Sequence, residues 1–239
     1  GLLLTLTLAV SADNGFRASL GYEDLNNELT LSANGVTFEV NSPCPMFFVE
    51  AGYDFSAGFA IDAKYSKCVE DQTLVALESS ILGAEIATDS DTDLFSIEAS
   101  YKKQLGVVQL KGIAGHLESD FERVLSGRIF ESSGAIELEQ SVSGAYLGGE
   151  ISYLPSDRFQ VGAAYRWMID PDIDLKVAGC SLDVSDPESS QLEVFAQTAL
   201  TEKLSLKASY SISWVEYDLS ELNVENKTDG LTLKLQYQF

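Results

Sequence analysis

The stretch LTLKLQYQF, residues 231–239, alternates strictly between apolar and polar side chains. Its polar positions carry Thr, Lys and Gln, and its apolar positions carry Leu231, Leu233, Leu235, Tyr237 and Phe239. Successive side chains of a β-strand point to opposite faces, so a period of two predicts a strand with one apolar and one polar face. The fold then depends on how many other segments share this pattern and on what covers their apolar faces.

Nine further segments show the same period, which makes ten predicted strands. They lie around 16–22, 49–55, 59–65, 95–101, 107–117, 147–153, 159–167, 191–200 and 204–214. The links between them alternate in length. Short ones fall near 56–58, 104–106, 155–157 and 201–203, and long ones at 25–45, 69–92, 119–141, 169–189 and 218–227. This order predicts an up-and-down antiparallel sheet, with short turns and both chain ends on one side and long loops on the other.

The apolar faces distinguish a membrane barrel from a soluble sandwich, which also alternates. Small residues lie between aromatic ends, as in the Phe-x-Ile-x-Ala-x-Tyr pattern of 59–65 and 95–101. Aromatic residues at both ends of a strand suit the two interfaces of a membrane. We therefore expect an all-β fold, a transmembrane antiparallel up-and-down β-barrel of ten strands.

The opposite faces carry as many bases as acids, although the whole chain has a net charge of −22. A solvated face of so acidic a protein has no reason to be neutral, whereas charges enclosed in a lumen must pair. The pattern predicts a lumen charge network of seven bases and seven acids: Arg17, Lys64, Lys102, Lys111, Arg166, Lys207 and Lys234 with Glu23, Glu50, Asp54, Asp62, Glu98, Glu150 and Glu193. In registers that match the apolar faces, Glu50 faces Lys64 and Glu98 faces Lys111.

Most of the acidity lies in the five long links, which together carry −18 of the net charge. Such a rim repels nucleic acids, so no nucleic-acid partner is expected, and it attracts divalent cations. Alternating aspartate oxygens suit Ca²⁺ or Mg²⁺. They occur at Asp89, Asp91, Asp93, Asp170, Asp172 and Asp174. The competing interpretation is a solvated surface that binds these cations weakly, and no other cofactor is expected.

The repeated apolar-x-Ala-x-Tyr strands and the terminal LTLKLQYQF resemble the bacterial outer-membrane β-barrel proteins. The resemblance covers about residues 14–239 and is specific for architecture, not for activity. It implies an outer-membrane location with both termini in the periplasm, and contact with outer-membrane lipid and lipopolysaccharide. It also implies assembly by the barrel-assembly machinery, with Tyr237 and Phe239 as the signal. The last strand is then expected to pair with 15–23, so that no strand edge is open in lipid.

Two parts of this assignment have alternatives. A barrel of twelve strands would add residues 2–10 and part of 28–40, with 25–27 as a short turn. Alternatively, 28–40 forms a hairpin above the membrane, because Ala33-Asn34-Gly35 is turn-like. The run 2–10 also fits a trimmed signal peptide with small residues at its cleavage site. This divides the chain into a residual signal peptide at 1–12 and one barrel domain at 13–239.

Three cysteines and one histidine limit the available chemistry. Cys44 and Cys68 lie at the outer ends of neighbouring strands, two residues from facing each other. One prediction is a disulfide between them in an oxidising compartment, and the other is that Cys180 pairs with either. His116 falls on the outward face near the outer rim, although a bulge at Gly112 or Gly115 would turn it inward.

His116 also precedes Glu118, Ser119 and Asp120, which would allow a His-carboxylate-Ser site. An interfacial histidine is the simpler interpretation. We therefore predict no catalytic residue and no enzymatic activity.

The width of the barrel bounds its function. Eight strands leave room only for side chains, and sixteen leave a channel. A barrel of ten strands is nearly as narrow as one of eight. Glycines and serines on the polar faces leave some space in the lumen, so the sequence is compatible with a plugged lumen and with a narrow pore. The expected function is a porin-like barrel that passes ions or small solutes at most. The alternatives are a non-conducting structural or binding barrel with cation-binding or adhesive loops, and a rim enzyme.

Overall fold

The computed structural model describes residues 15–33, 36–68, 73–77, 84–129, 132–219 and 222–239. No helix among these residues is long and apolar enough to cross a membrane. A 3-10 turn occupies Ser56–Gly58. The strands are β1 Gly15–Ala33, β2 Val36–Asp54, β3 Phe59–Cys68, β4 Thr73–Leu77, β5 Ala84–Leu105, β6 Val108–Ile129, β7 Ser132–Ser156, β8 Phe159–Val177, β9 Cys180–Leu182, β10 Ser185–Ala199, β11 Leu204–Leu219 and β12 Leu222–Gln238.

The strands form a closed antiparallel cylinder. Strands that are adjacent in sequence pair, except that β3 pairs with β5 past the short β4 and β8 pairs with β10 past the short β9, and β12 pairs with β1. The short strand β4 continues beside β5 in the place that β3 leaves, and β9 continues beside β8 above β10. Ten positions therefore surround the lumen, which confirms the predicted ten-stranded barrel. The predicted closure is also present, with Leu20 opposite Leu235.

The twelve-stranded alternative is wrong. Residues 25–27 lie inside β1 and form no turn, and 28–40 continues the β1–β2 hairpin as far as the pair Ala33 and Val36. That outcome agrees with the hairpin alternative. Residues 2–10, and with them the predicted signal peptide at 1–12, lie outside the described residues.

The long links were predicted as loops, but their described residues lie in strands, except for 178–179 and 183–184. β5 and β6 contain 22 residues each and stay paired from Glu85 and Arg128 to Leu105 and Val108. A strand needs about 9–11 residues to cross a bilayer. The hairpins therefore extend the barrel beyond a membrane, and the ladder satisfies their backbone groups.

The apolar side chains change face part-way along the strands. On β1, Leu20 and Tyr22 are exposed on the outer wall, whereas the next outward residue is Asp24. The inner face changes in the opposite sense, from Glu23 to Leu25. The lower half of the barrel is consequently apolar outside and polar inside, as lipid requires, and the upper half is polar outside and apolar inside, as water requires.

β8 reaches the same result through a bulge, because its sequence keeps apolar residues at odd positions throughout. Trp167 and Ile169 are exposed on the outer wall, yet Ile173 and Leu175 are buried. The register shifts by one residue between these pairs, at Asp170, whose φ is 52°. An extra residue in one strand reverses the faces of everything that follows it.

Aromatic side chains mark both edges of the apolar outer belt. Near the short turns, Phe16 packs on Phe239 with ring centroids 5.4 Å apart, and Phe59 packs on Tyr101 at 4.8 Å. Near the change of face, Tyr22 packs on Phe47 at 5.2 Å, and the Tyr165–Trp167 pair lies at 6.1 Å. Such girdles are typical of the two interfaces of a membrane barrel.

The change of face can be tested with one substitution placed at two heights on the outer face of β2. Val49 is 61% exposed within the apolar belt, and Asn41 is exposed above it. We expect Val49→Arg to lower the free energy of unfolding in lipid vesicles by about 2–4 kcal/mol, because a cation would enter hydrocarbon. We expect Asn41→Arg to change it by less than about 0.5 kcal/mol. The measurement is urea unfolding followed by heat-modifiable gel mobility, and equal losses would contradict the assigned membrane zone.

Candidate functional site

A relay of ion pairs crosses the lumen within the lower half of the barrel. Arg166 contacts two carboxylates, Glu98 at 3.4 Å and Glu193 at 3.2 Å. Lys111 binds the same Glu98 at 2.9 Å, and Lys207 binds the same Glu193 at 2.6 Å. The result is an alternating series of five side chains, which begins on β6, passes through β5, β8 and β10, and ends on β11.

A second group of ion pairs lies on the β12–β5 side. Arg17 binds Asp54 and Asp62, each at 2.9 Å, and Lys102 lies 3.7 Å from Asp54. Two separate pairs complete the group, Lys234 with Glu50 at 3.0 Å and Lys64 with Glu23. Burial of such charges is tolerable because each has an opposite charge in contact.

The partners within the network differ from the predicted ones. Glu50 does lie opposite Lys64 in the ladder, but both bind other residues. The predicted facing of Glu98 and Lys111 is wrong, since Glu98 is opposite Gly115. The reason is the tight turn at 106–107, which moves the register by four residues. Lys111 nevertheless reaches Glu98 along a diagonal.

Glycines on intervening strands let these side chains reach past a neighbour. Arg17 and Asp62 are separated by Gly52, where an added Cβ would collide with the Asp62 carboxylate. The Tyr146 hydroxyl donates to Glu98 at 3.3 Å across Gly115, where an added Cβ would collide with the Tyr146 ring. Neighbouring side chains thus fill the space that the sequence left for a water path.

Thirteen of the fourteen predicted lumen charges make an ion pair. The exception is Glu150 on β7, which makes no ion pair or side-chain hydrogen bond with another described residue. It lies opposite Lys111, whose ammonium group is directed to Glu98 instead.

A cavity of about 390 Å³ lies above this network. Its floor is charged and includes Glu50, Glu98, Glu150, Lys111, Arg166, Lys207 and Lys234. Its upper wall is mixed, with apolar surface from Leu25, Leu94, Leu117, Phe121, Val142 and Val215 and polar groups from Asn27, Thr92, Ser119, Gln140, Asn226 and Thr228. The cavity therefore combines apolar surface with many polar groups, and its volume lies within the usual range of small-molecule binding sites.

An apolar cluster closes part of the upper barrel above the cavity. Its buried members are Ile173, Leu175, Tyr217 and Val224, and it shares Val142 and Val215 with the cavity wall. Burial raises the pKa of Tyr217 to about 12, so this phenol stays neutral. Sequence reasoning missed both the cavity and the cluster. The signal that could have found them is the apolar residues that move to the inner face beyond the aromatic girdle.

The disulfide joins Cys44 to Cys68, with Cα atoms 5.6 Å apart. Cys68 is opposite Met46 in the ladder, so the bond runs diagonally, and Cys44 lines the cavity. Cys180 is exposed and unpaired, so the alternative pairings with Cys180 are absent. The bond links the β1–β2 hairpin to the top of β3.

His116 faces outward and is exposed. It pairs with Ile97 and Ala145 in unbroken ladders, so the proposed bulge at Gly112 or Gly115 does not occur. Its side chain makes no hydrogen bond or ion pair within the described part of the chain. The position therefore brings no carboxylate or hydroxyl into contact with the imidazole.

The aspartate clusters lie on strands and not in loops. Asp91 and Asp93 point outward from β5 and bind Lys67 at 3.2 and 3.4 Å. These hydrogen bonds raise the pKa of Lys67. Asp172 and Asp174 are exposed on β8, Asp170 forms the bulge, and the side chain of Asp89 lies outside the described part. Over the described ranges, no group of three or more His, Cys, Asp or Glu residues is placed to hold a metal ion. The Ca²⁺ or Mg²⁺ site stays a prediction.

Comparison with solved structures agrees with this architecture. The outer membrane protease OmpT from Escherichia coli is 14% identical, with 98% of this chain and 99% of that chain covered and a TM-score of 0.69. The chain has the fold of the bacterial outer-membrane β-barrels. An outer membrane channel from Pseudomonas putida is 12% identical over 97% of both chains, with a TM-score of 0.42. The Ail protein of Yersinia pestis is 12% identical over 93% and 99%, with a TM-score of 0.38. No family model and no curated protein matches the chain. At sequence identities of 12–14%, these comparisons concern the fold alone.

The need for a glycine between Arg17 and Asp62 can be tested by substitution of Gly52. We expect Gly52→Ala to lower the free energy of unfolding by about 1–3 kcal/mol, because the new Cβ must displace Asp62 from Arg17. Gly112→Ala is the matched control, since nothing lies within 4 Å of its added Cβ. Its effect should stay within about 0.5 kcal/mol. Urea unfolding in lipid vesicles measures both, and an undiminished stability of Gly52→Ala would show that the ion pairs do not need this gap.

Proposed function

We propose that the protein is an integral outer-membrane barrel that binds a small molecule from the extracellular side and does not conduct. The observation that carries this proposal is the position of the cavity, which opens above a floor of ion pairs. The apolar outer belt and the fold support an outer-membrane location. In this proposal both termini are periplasmic, and outer-membrane lipid, lipopolysaccharide and the barrel-assembly machinery are the expected partners.

The ion-pair network is a poor path for solutes. Arg166 bridges Glu98 and Glu193 across the lumen, so a passing ion would have to part these contacts. Removing one partner of a buried ion pair typically costs about 3–5 kcal/mol. Arg17 and Asp54 form a further pair, and neither of them lines the cavity.

A porin-like passive path is the second candidate. It is favoured by the inner face of β11, where Ser205, Ser209, Ser211 and Ser213 offer a narrow polar strip. Three of these serines also line the cavity. Enzymatic activity is not part of the proposal, because the similarity to OmpT concerns the fold and His116 faces outward.

Conductance in planar lipid bilayers separates the two candidates. We expect the native barrel to give no steps above baseline. We expect Arg166→Ala to give small steps, because it removes the side chain that spans the lumen. Glu98 keeps Lys111 and Glu193 keeps Lys207, so this variant leaves neither carboxylate without a base.

Arg158→Ala is the matched control, since Arg158 is exposed on a short turn outside the lumen. Like the native protein, this variant should give no conductance steps above baseline. Steps of uniform size from the native barrel would overturn the closed lumen and favour the narrow passive path.

A further inference from the structure

We propose that the cavity binds a small amphipathic cation, with its ammonium group on Glu150 and its apolar body against the upper wall. This inference rests on the proposed binding function and adds the chemical class of the ligand. The evidence for the class is the arrangement of charged contacts on the floor, the composition of the wall and the charge of the rim.

Glu150 decides the sign of the ligand charge. Every base on the cavity floor already touches a carboxylate, so its positive charge is compensated at contact distance. Glu150 also lines the cavity, but it makes no ion pair or side-chain hydrogen bond within the described residues. A carboxylate can accept several charge-assisted hydrogen bonds, and an ammonium group supplies three donors.

The cavity wall indicates the chemistry of the rest of the ligand. Leu117, Phe121, Val142 and Val215 come from β6, β7 and β11 and offer apolar surface above the floor. Burial of apolar ligand surface against such a wall is favourable. Two buried oxygens in the lining, Thr92 Oγ1 and Asn226 Oδ1, have no hydrogen-bond partner within the described residues. They provide sites for a polar group on the ligand body.

The outer rim favours the same sign. The five long links of the sequence carry −18 of the net charge of −22. Among the described residues near the change of face, Asp24, Asp91 and Glu118 are exposed and point outward. A surface that carries one sign of charge concentrates ions of the opposite sign and repels like ions. A cation is thus enriched at the entrance before it reaches Glu150.

The test compares three probes of nearly equal shape: tryptamine, which is a cation, tryptophol, which is neutral, and indole-3-acetate, which is an anion. Binding to the full chain in phosphatidylcholine nanodiscs is measured by titration calorimetry, with empty nanodiscs as the reference for partitioning into lipid. We expect tryptamine to bind about tenfold more tightly than tryptophol, which corresponds to about 1.4 kcal/mol. Indole-3-acetate should bind most weakly.

Two variants and one control locate the site. Glu150→Gln should abolish the preference for tryptamine over tryptophol without abolishing tryptophol binding. Leu117→Trp should weaken all three probes, because the larger ring fills the cavity. Glu202→Gln, on an exposed short turn, should leave all affinities unchanged. Heat-modifiable gel mobility shows that each variant is folded.

The outcomes separate this inference from the proposed function. Equal affinity for all three probes, or tightest binding of the anion, would overturn the cationic ligand and leave a binding cavity. A preference for tryptamine that survives in Glu150→Gln would overturn the role of Glu150. Absence of any binding above empty nanodiscs would overturn both the inference and the proposed function.

Discussion

Closure of the sheet is the constraint on which the rest of the structure depends. Inside lipid no water is present to satisfy an open strand edge, so β12 must pair with β1 and β8 must pair with β10. Once the ring is closed, strand parity sends every second side chain into a space that neither lipid nor bulk water fills. Charges there can only be satisfied by one another. The neutrality of the inner face in a strongly acidic chain is a consequence of that enclosure.

The cavity follows from the point at which the solvent outside the barrel changes. As long as lipid surrounds the wall, apolar side chains face outward and the lumen receives the polar ones. Above the girdle, water surrounds the wall, and residues such as Leu25 and Leu117 turn their apolar surface into the lumen. A charged floor and a wall with apolar surface therefore meet at one height. The β8 bulge at Asp170 shows how strong this requirement is, since its register shift brings Ile173 and Leu175 inside.

Period-two alternation was sufficient to predict the number of strands, their faces and the closing pair, because burial by lipid leaves a clear pattern. It failed above the membrane for a physical reason. The pattern there is still alternating, but its phase is inverted, and residues such as Pro43, Pro45 and Asp170 are typical of loops. The members of the lumen network could be predicted from parity, since parity depends only on sequence position. Their partners could not, because Arg17 reaches Asp62 past Gly52, and such diagonal contacts depend on the three-dimensional offset between strands.

Glu150 illustrates why a neutral network can still contain a group that lacks direct contacts. The relay through Arg166 contains three bases and two acids, so it has one positive charge in excess. Glu150 balances that charge by attraction to Lys111 and Lys207 at longer range, without touching either. Lys111 turns away because its ammonium group binds Glu98 along a diagonal, 2.9 Å away. The charges of the network therefore balance, but the Glu150 carboxylate still has free capacity to accept hydrogen bonds. Glu150 also lines the cavity.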